Sequence, residues 1–235
     1  LAKRSNDFLF IRRDNPDAVI SAAITLIQQK LPGYVHAQPF DIQVMTPMRK
    51  GALGVERLNQ VLQNYLNPPD KSKKEREAGG IIYRVGDKVM QIKNDYDIPY
   101  ERDGAEAGVG AYNGDMGIIT AVDPESRAVT VQMDDRKYIY GADQLAELEP
   151  AYAVTVHKSQ GCEFPAVIMP VADVPARLCY RNLLYTGVTR ARRLCILAGT
   201  RRTEQAMVDN VRQNMRYSGL RYLLREAVTP AEKRR

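Results

Sequence analysis

Two stretches of this 235-residue sequence carry the residue types and spacing from which chemistry can be built. In the first, an apolar run, Val154-Thr155-Val156, leads straight into His157-Lys158-Ser159-Gln160-Gly161-Cys162-Glu163-Phe164. In an open α/β sheet ligands collect beyond the carboxyl ends of the strands. Gly161, beside Gln160, lets backbone come close to a phosphate, and Glu163 can accept hydrogen bonds from a ribose hydroxyl. Thr155, His157 and Lys158 can meet another phosphate chain on the opposite side of the turn. The opposing reading is a strand that ends in a solvated turn. In the second stretch, Arg181, Arg190, Arg192 and Arg193 lie on or near a segment whose other residues are largely apolar. An arginine fixed beside a transferring phosphoryl group stabilises its developing charge. A solvated basic helix end is the bland alternative, since cations suit the dipole there.

The elements that must position these residues follow from periodicity. Phe8 to Ile11 has the apolar character of a buried strand. Asn15-Pro16 predicts a helix start, with Val19, Ile20, Ala23, Ile24, Ile27 and Leu31 on one face and a stop at Leu31-Pro32-Gly33. Ile42 to Thr46 is the next strand, and a second helix follows Gly51. Residues 67–77 are charged and broken by proline, as in a linker or exposed loop. Beyond them, Val85 to Asn94, Met116 to Val122, Ala128 to Met133 and Lys137 to Tyr140 read as short strands of a small antiparallel barrel. The stretch from Tyr96 to Gly110 reads as a mobile loop. From Ala151 the alternating pattern returns: strands at Ala151 to Val156, Val167 to Val171 and Leu194 to Ala198, and helices at Tyr180 to Arg193 and Thr203 to Met215. The tail after Glu226 is polar.

Thirty-four Lys plus Arg against 28 Asp plus Glu give a formal charge of +6, a surplus that favours polyanionic partners. No run of about eighteen apolar residues occurs, so no membrane span is expected. Three cysteines, Cys162, Cys179 and Cys195, share no metal-ligand spacing, and reduced thiols in the cytoplasm are expected. The sequence opens Leu1-Ala2-Lys3 without methionine or a signal-peptide stretch, which predicts a piece of a longer polypeptide.

Taken together, these segments resemble a known family. Thr155 to Phe164 resembles motif V of superfamily 1 helicases in the RecD/TraA-like branch, and Tyr185-Thr186-Gly187-Val188-Thr189-Arg190-Ala191-Arg192 resembles their motif VI. Gln43-Val44-Met45-Thr46-Pro47-Met48-Arg49-Lys50-Gly51, followed by Leu58-Asn59, resembles motif IV. Val85 to Gln91 through Asn94, with Asn113-Gly114-Asp115-Met116-Gly117, resembles the SH3-like barrel inserted in that branch. The resemblance runs in the family's order over residues 6 to 225. It implies an α/β fold: a RecA-like parallel-sheet domain of the P-loop NTPase kind but without a P-loop, interrupted by a small SH3-like β-barrel. The expected divisions are 1–80 and 150–226 for the RecA-like domain, 81–149 for the barrel and 227–235 for the tail. The resemblance also implies that Arg190 reaches the ATP γ-phosphate and that Arg49 does similar work. It sets Gly161, Glu163 and Gln160 on the nucleotide side, and Thr155, His157, Lys158 and Asn94 toward single-stranded DNA.

A P-loop needs Gly-x-x-x-x-Gly-Lys-Ser/Thr, and this sequence contains no Gly-Lys pair; Lys158-Ser159 imitates its end, with Tyr152 and His157 at the glycine positions. The resemblance therefore implies the C-terminal half of an ATP-dependent DNA helicase, moving 5′ to 3′ in unwinding, recombination or repair and unable to hydrolyse ATP alone. The Mg²⁺ ligands for ATP are expected on an N-terminal RecA-like motor domain. Expected partners are that domain, single-stranded and duplex DNA, and other recombination subunits. Two rival readings stand beside this one. The first is a degenerate nucleic-acid-binding module. The second is a metal-dependent nuclease, for which Asp134-Asp135 would have to be more than a solvated turn.

Overall fold

The computed structural model describes residues 7–104 and 106–211, together with positions 219, 223 and 224. Five parallel strands form the central sheet: β1 (Phe8–Arg12), β2 (Ile42–Thr46), β12 (Ala153–Thr155), β13 (Phe164–Val171) and β14 (Ala191–Gly199), in the order β1-β14-β13-β2-β12. Every residue of β2 is buried, as expected of an inner strand covered on both faces. Alternation divides the strands between two cores. Ile42, Val44, Ile168 and Ile196 pack under helices α1 (Pro16–Thr25), α2 (Leu31–Val35) and α3 (Val55–Leu66). Met45, Val167, Met169, Cys195 and Leu197 pack under α4 (Arg181–Val188) and α5 (Arg201–Asp209). This is the two-sided α/β layering that the alternating pattern predicts.

Asn15 caps α1, its side chain accepting from the Ala18 amide at 2.8 Å. The helix does not stop at Leu31-Pro32-Gly33. A π-helical turn, Leu26–Lys30, hands on to α2, and the helical run takes in Pro32; His36, with φ of 47°, ends the run. β1 is an edge strand rather than a buried one, with Phe8 and Leu9 exposed.

Between β2 and β12 the chain leaves the parallel sheet. The 67–77 segment is not all loop: β3 (Glu75–Ala78) and β4 (Ile81–Arg84) form a hairpin closed at Gly79-Gly80. An antiparallel sheet follows. Its strands are β5 (Lys88–Gln91), β6 (Asp95–Arg102), β7 (Gly108–Ala111), β8 (Met116–Val122), β9 (Val129–Met133), β10 (Arg136–Tyr140) and β11 (Leu148–Pro150). They run in the order β11-β5-β8-β9-β10-β6-β7 around a core of Val89, Ile119, Val131, Tyr138 and Tyr140. The expected loop at Tyr96 to Gly110 is instead largely the β6–β7 pair, in which Tyr100 packs on Tyr138 with ring centroids 5.5 Å apart. Alternating exposed and inward-facing residues there carry the period-2 signal that the acidic and glycine content obscured.

Asp87 joins this insert to the parallel-sheet domain. Its buried carboxylate accepts from Gln63 Nε2 (2.5 Å), Asn67 Nδ2 (2.7 Å), the Arg84 amide (2.7 Å) and the Tyr152 hydroxyl (2.8 Å). The next residue, Lys88, is buried on the opposite side and donates to the Phe40 carbonyl and to Gln43 Oε1. Its ammonium also stands 4.6 Å from the Phe40 ring centroid and 5.7 Å from that of Phe164.

Candidate functional site

Strand direction determines which candidate residues meet. β12 and β13 both run parallel to β2, which lies between them. A chain leaving the C-terminal end of β12 must therefore return along the sheet to enter β13 at its N-terminal end. Residues 156–163 make that return. Thr155 lies at one edge of the sheet and Glu163 at the other.

At the N-terminal edge, the turn before β13 is stitched to the turn before β14. The Phe164 amide donates to the Arg190 carbonyl at 2.8 Å, and Arg190 Nη1 donates to the Cys162 carbonyl at 3.2 Å. Arg190 Nε is buried without a hydrogen-bond partner. Glu163 accepts from Arg192 Nε at 2.8 Å, an exposed ion pair. Gly161 has a φ of +91°, and a Cβ there would meet no heavy atom within 4 Å; the backbone conformation, not space, calls for glycine. Gln160 is exposed next to it. At Gly187 the reason is space. A Cβ would come within 2.7 Å of Met169 Sδ, so the glycine lets α4 lie close on β13. The helix ends at Val188, short of the expected Arg193; Arg190 is in the turn, and Arg192 and Arg193 belong to β14.

The C-terminal edge holds a second cluster. Thr155 Oγ1 accepts from the Lys158 amide at 3.3 Å, and exposed His157 lies 3.4 Å from the Tyr180 hydroxyl. Lys158 Nζ donates to Glu149 Oε2 at 2.6 Å, and Arg49 Nη2 donates to Glu149 Oε1 at 3.1 Å. Arg49 therefore does not join Arg190. It follows the C-terminal end of β2, whereas Arg190 precedes the N-terminal end of β14, and in a parallel sheet those ends are opposite. The two arginines stand at opposite ends of the sheet, and Arg49 is grouped with Lys158 and Thr155. Glu149 escaped sequence reading because nothing local marks it; its partner Arg49 lies 100 residues away. Arg192 was visible as a basic residue, but its partnership with Glu163 was not.

Asn94 stands apart on the insert. Its Oδ1 accepts from the Asn113 amide, and its Nδ2 donates to the Tyr96 hydroxyl at 2.9 Å. Tyr96 and Tyr112 are exposed and meet edge to face, with ring centroids 6.1 Å apart.

Among the described residues no three His, Cys, Asp or Glu side chains gather into a group able to hold a metal ion. Arg190 is held by its Nη1 on the Cys162 carbonyl, one residue after Gly161, and its buried Nε has no hydrogen-bond partner. Among the described residues no helix is long and apolar enough to cross a membrane.

Residues 58–133 match the family described as the ATP-dependent RecD-like DNA helicase SH3 domain, and residues 150–198 match the UvrD-like helicase C-terminal domain. The ATP-dependent RecD2 DNA helicase of Deinococcus radiodurans is 35% identical over 162 residues, covering 69% of this chain and 20% of that protein. The RecBCD enzyme subunit RecD of Mycolicibacterium smegmatis is 31% identical over 182 residues, covering 76% of this chain and 28% of that protein. This chain thus spans between a fifth and three-tenths of the length of these relatives. A solved structure of two coordinating Pif1 helicases at forked duplex DNA aligns with 91% of this chain and 47% of that chain, at 18% identity and a TM-score of 0.47.

Proposed function

We propose, for a chain that belongs to the RecD-like branch of superfamily 1 helicases, that it is the part of an ATP-driven DNA translocase that links a nucleotide edge to a DNA edge. The observation that carries this reading is the course of residues 156–163. One short segment leaves Thr155 at the C-terminal edge of the sheet, carries Lys158, and ends at Glu163, whose neighbours Cys162 and Phe164 hydrogen-bond with Arg190. A shift of either end is transmitted to the other through covalent backbone.

On the nucleotide edge, Arg190 is the residue that senses the terminal phosphate. Its Nη1 is anchored on the Cys162 carbonyl, which fixes the plane of the guanidinium and leaves Nε in search of an acceptor. ATP, when bound, supplies a γ-phosphoryl group whose transfer to water releases the free energy for movement. A fixed arginine stabilises the charge that develops on such a group by about 10³- to 10⁵-fold in rate. Glu163, released from Arg192, accepts from ribose hydroxyls, and the Gly161 turn, flanked by Gln160, brings backbone close to the nucleotide. The Mg²⁺ that accompanies ATP is held by residues outside this chain, on an N-terminal RecA-like domain that also carries the P-loop.

On the DNA edge, Thr155, His157 and Lys158 face single-stranded DNA; the Asn94–Tyr96 pair is a separate DNA contact on the insert. The surplus positive charge favours that partner. The whole protein moves 5′ to 3′ on cytoplasmic DNA in recombination or repair, and the likeness to RecD subunits of RecBCD extends the proposal to other recombination subunits as partners.

The test is Arg190→Gln in the full-length protein. DNA-stimulated ATP hydrolysis should drop at least about 100-fold while single-stranded DNA affinity stays within about twofold. Ordinary turnover by this variant removes the role given to Arg190.

A further inference from the structure

Between α3, the β3–β4 hairpin and β12 lies a cleft of about 620 Å³, within the range of roughly 300–1,000 Å³ that encloses small ligands. Gln60 and Asn64 present amides from α3, and Ile81 and Ile82 present apolar surface from the hairpin. Arg49, Lys158 and Glu149 complete the lining. The two cations come from different elements, one after β2 and one after β12, yet both converge on the same carboxylate, at 3.1 and 2.6 Å. Arg49 is also 3.6 Å from Glu56 in the first turn of α3.

The geometry points to a phosphodiester subsite for single-stranded DNA in which Glu149 is a built-in competitor, holding Arg49 and Lys158 until a DNA phosphate replaces it. The inference rests on the DNA-binding reading above and adds a site, its residues and its control. Three features support it. A carboxylate that accepts from an arginine and a lysine stands where the anionic oxygens of a phosphodiester would stand. Both ion pairs open onto the cleft, so a phosphate entering it meets the cations at the position the carboxylate holds. The amides and apolar rim beside the cations suit a sugar and base, which a bare cationic patch would not. With Glu149 in place the two cations are occupied, which restrains binding to other polyanions.

The experiment measures binding of a fluorescein-labelled oligothymidylate to the full 235-residue chain by anisotropy across a series of salt concentrations. Glu149→Gln should tighten binding by about 3- to 10-fold and steepen the dependence of log K on log salt by up to about 0.7, the value for one additional phosphate contact on a single strand. In an Arg49→Gln, Lys158→Gln background the same change should have no effect. Glu204→Gln releases a different arginine, Arg201, at 2.6 Å, and should leave affinity within about twofold. Melting temperatures establish that each variant is folded, and Glu149→Asp provides a second variant that retains the charge and should bind like the parent. The proposal is overturned if Glu149→Gln leaves affinity and salt slope unchanged, or if Glu204→Gln tightens binding equally. Loss of binding by the parent chain itself would instead remove the DNA-binding reading on which the subsite stands.

Discussion

Lys88 shows how far a single side chain can be displaced from its ordinary chemistry. Burial pushes its ammonium down to about 7, against the pull of Asp41 and Cys162. An unfolded chain takes up this proton below about 10.5 while the folded one resists until about 7, so stability is full at high pH and is lost as pH falls through that window. Cys195 and Tyr83, each pushed up to about 12 by burial, act in the opposite direction, but only above the values at which they titrate when unfolded, 9.0 and 10.0. Between pH 7 and 9 the lysine dominates. Melting temperature should therefore rise over that range, and Lys88→Met should flatten the rise; a parental curve that is flat or falling would contradict the burial. At Gly161 the constraint is backbone conformation. Gly161→Ala should cost about 1 kcal/mol of stability through the left-handed φ alone, read as a lowered urea midpoint, because a methyl group there has space.

At the scale of elements, the insert is held to the parallel-sheet domain by consecutive residues that face opposite ways. Asp87 collects donors from α3, from Asn67 beyond its end, from the hairpin and from Tyr152 just before β12. Lys88 reaches back to Phe40 and Gln43 and lies against the ring of Phe164, next to the Glu163 end of the crossing segment. Removing a buried carboxylate strands all four donors. Asp87→Ala should cost about 3 kcal/mol or more, measured by denaturant unfolding, with Asp87→Asn recovering part of the loss. A cost under about 1 kcal/mol would show that the network is not what fixes the insert in place.

For the whole molecule, the two clusters lie at opposite ends of one parallel sheet, and a segment of eight residues, 156–163, spans the distance between them. In the motor proposed above, this segment is the direct covalent link between the two ends. The arrangement also predicts a division of labour. The 235-residue chain should bind oligothymidylate but show no DNA-stimulated ATP hydrolysis, and turnover should return when an N-terminal half bearing a P-loop is added. Hydrolysis by this chain alone would require a second phosphate-binding site that its sequence does not display.

Much of this was legible before any coordinates. Apolar runs and their flanking turn residues located the parallel strands, because a strand buried on both faces is largely apolar, with Gln43 and Thr46 of β2 buried only alongside hydrogen-bond partners. The same rule marked the segment from Thr155 to Glu163, where polar groups follow such a strand, and the motif resemblance named Arg190. Local pattern was misleading where composition and geometry diverged, as at Pro32, which the helical run takes in, and at Tyr96 to Gly110, where acidic residues mask a strand pair. Only the tertiary structure decided which charges meet. Glu149 joining Arg49 and Lys158, Glu163 joining Arg192, and the separation of Arg49 from Arg190 all depend on strand order and parallel sense. Sequence records burial and turns within a few residues, whereas an ion pair across 100 positions exists only once the sheet has brought its two ends together.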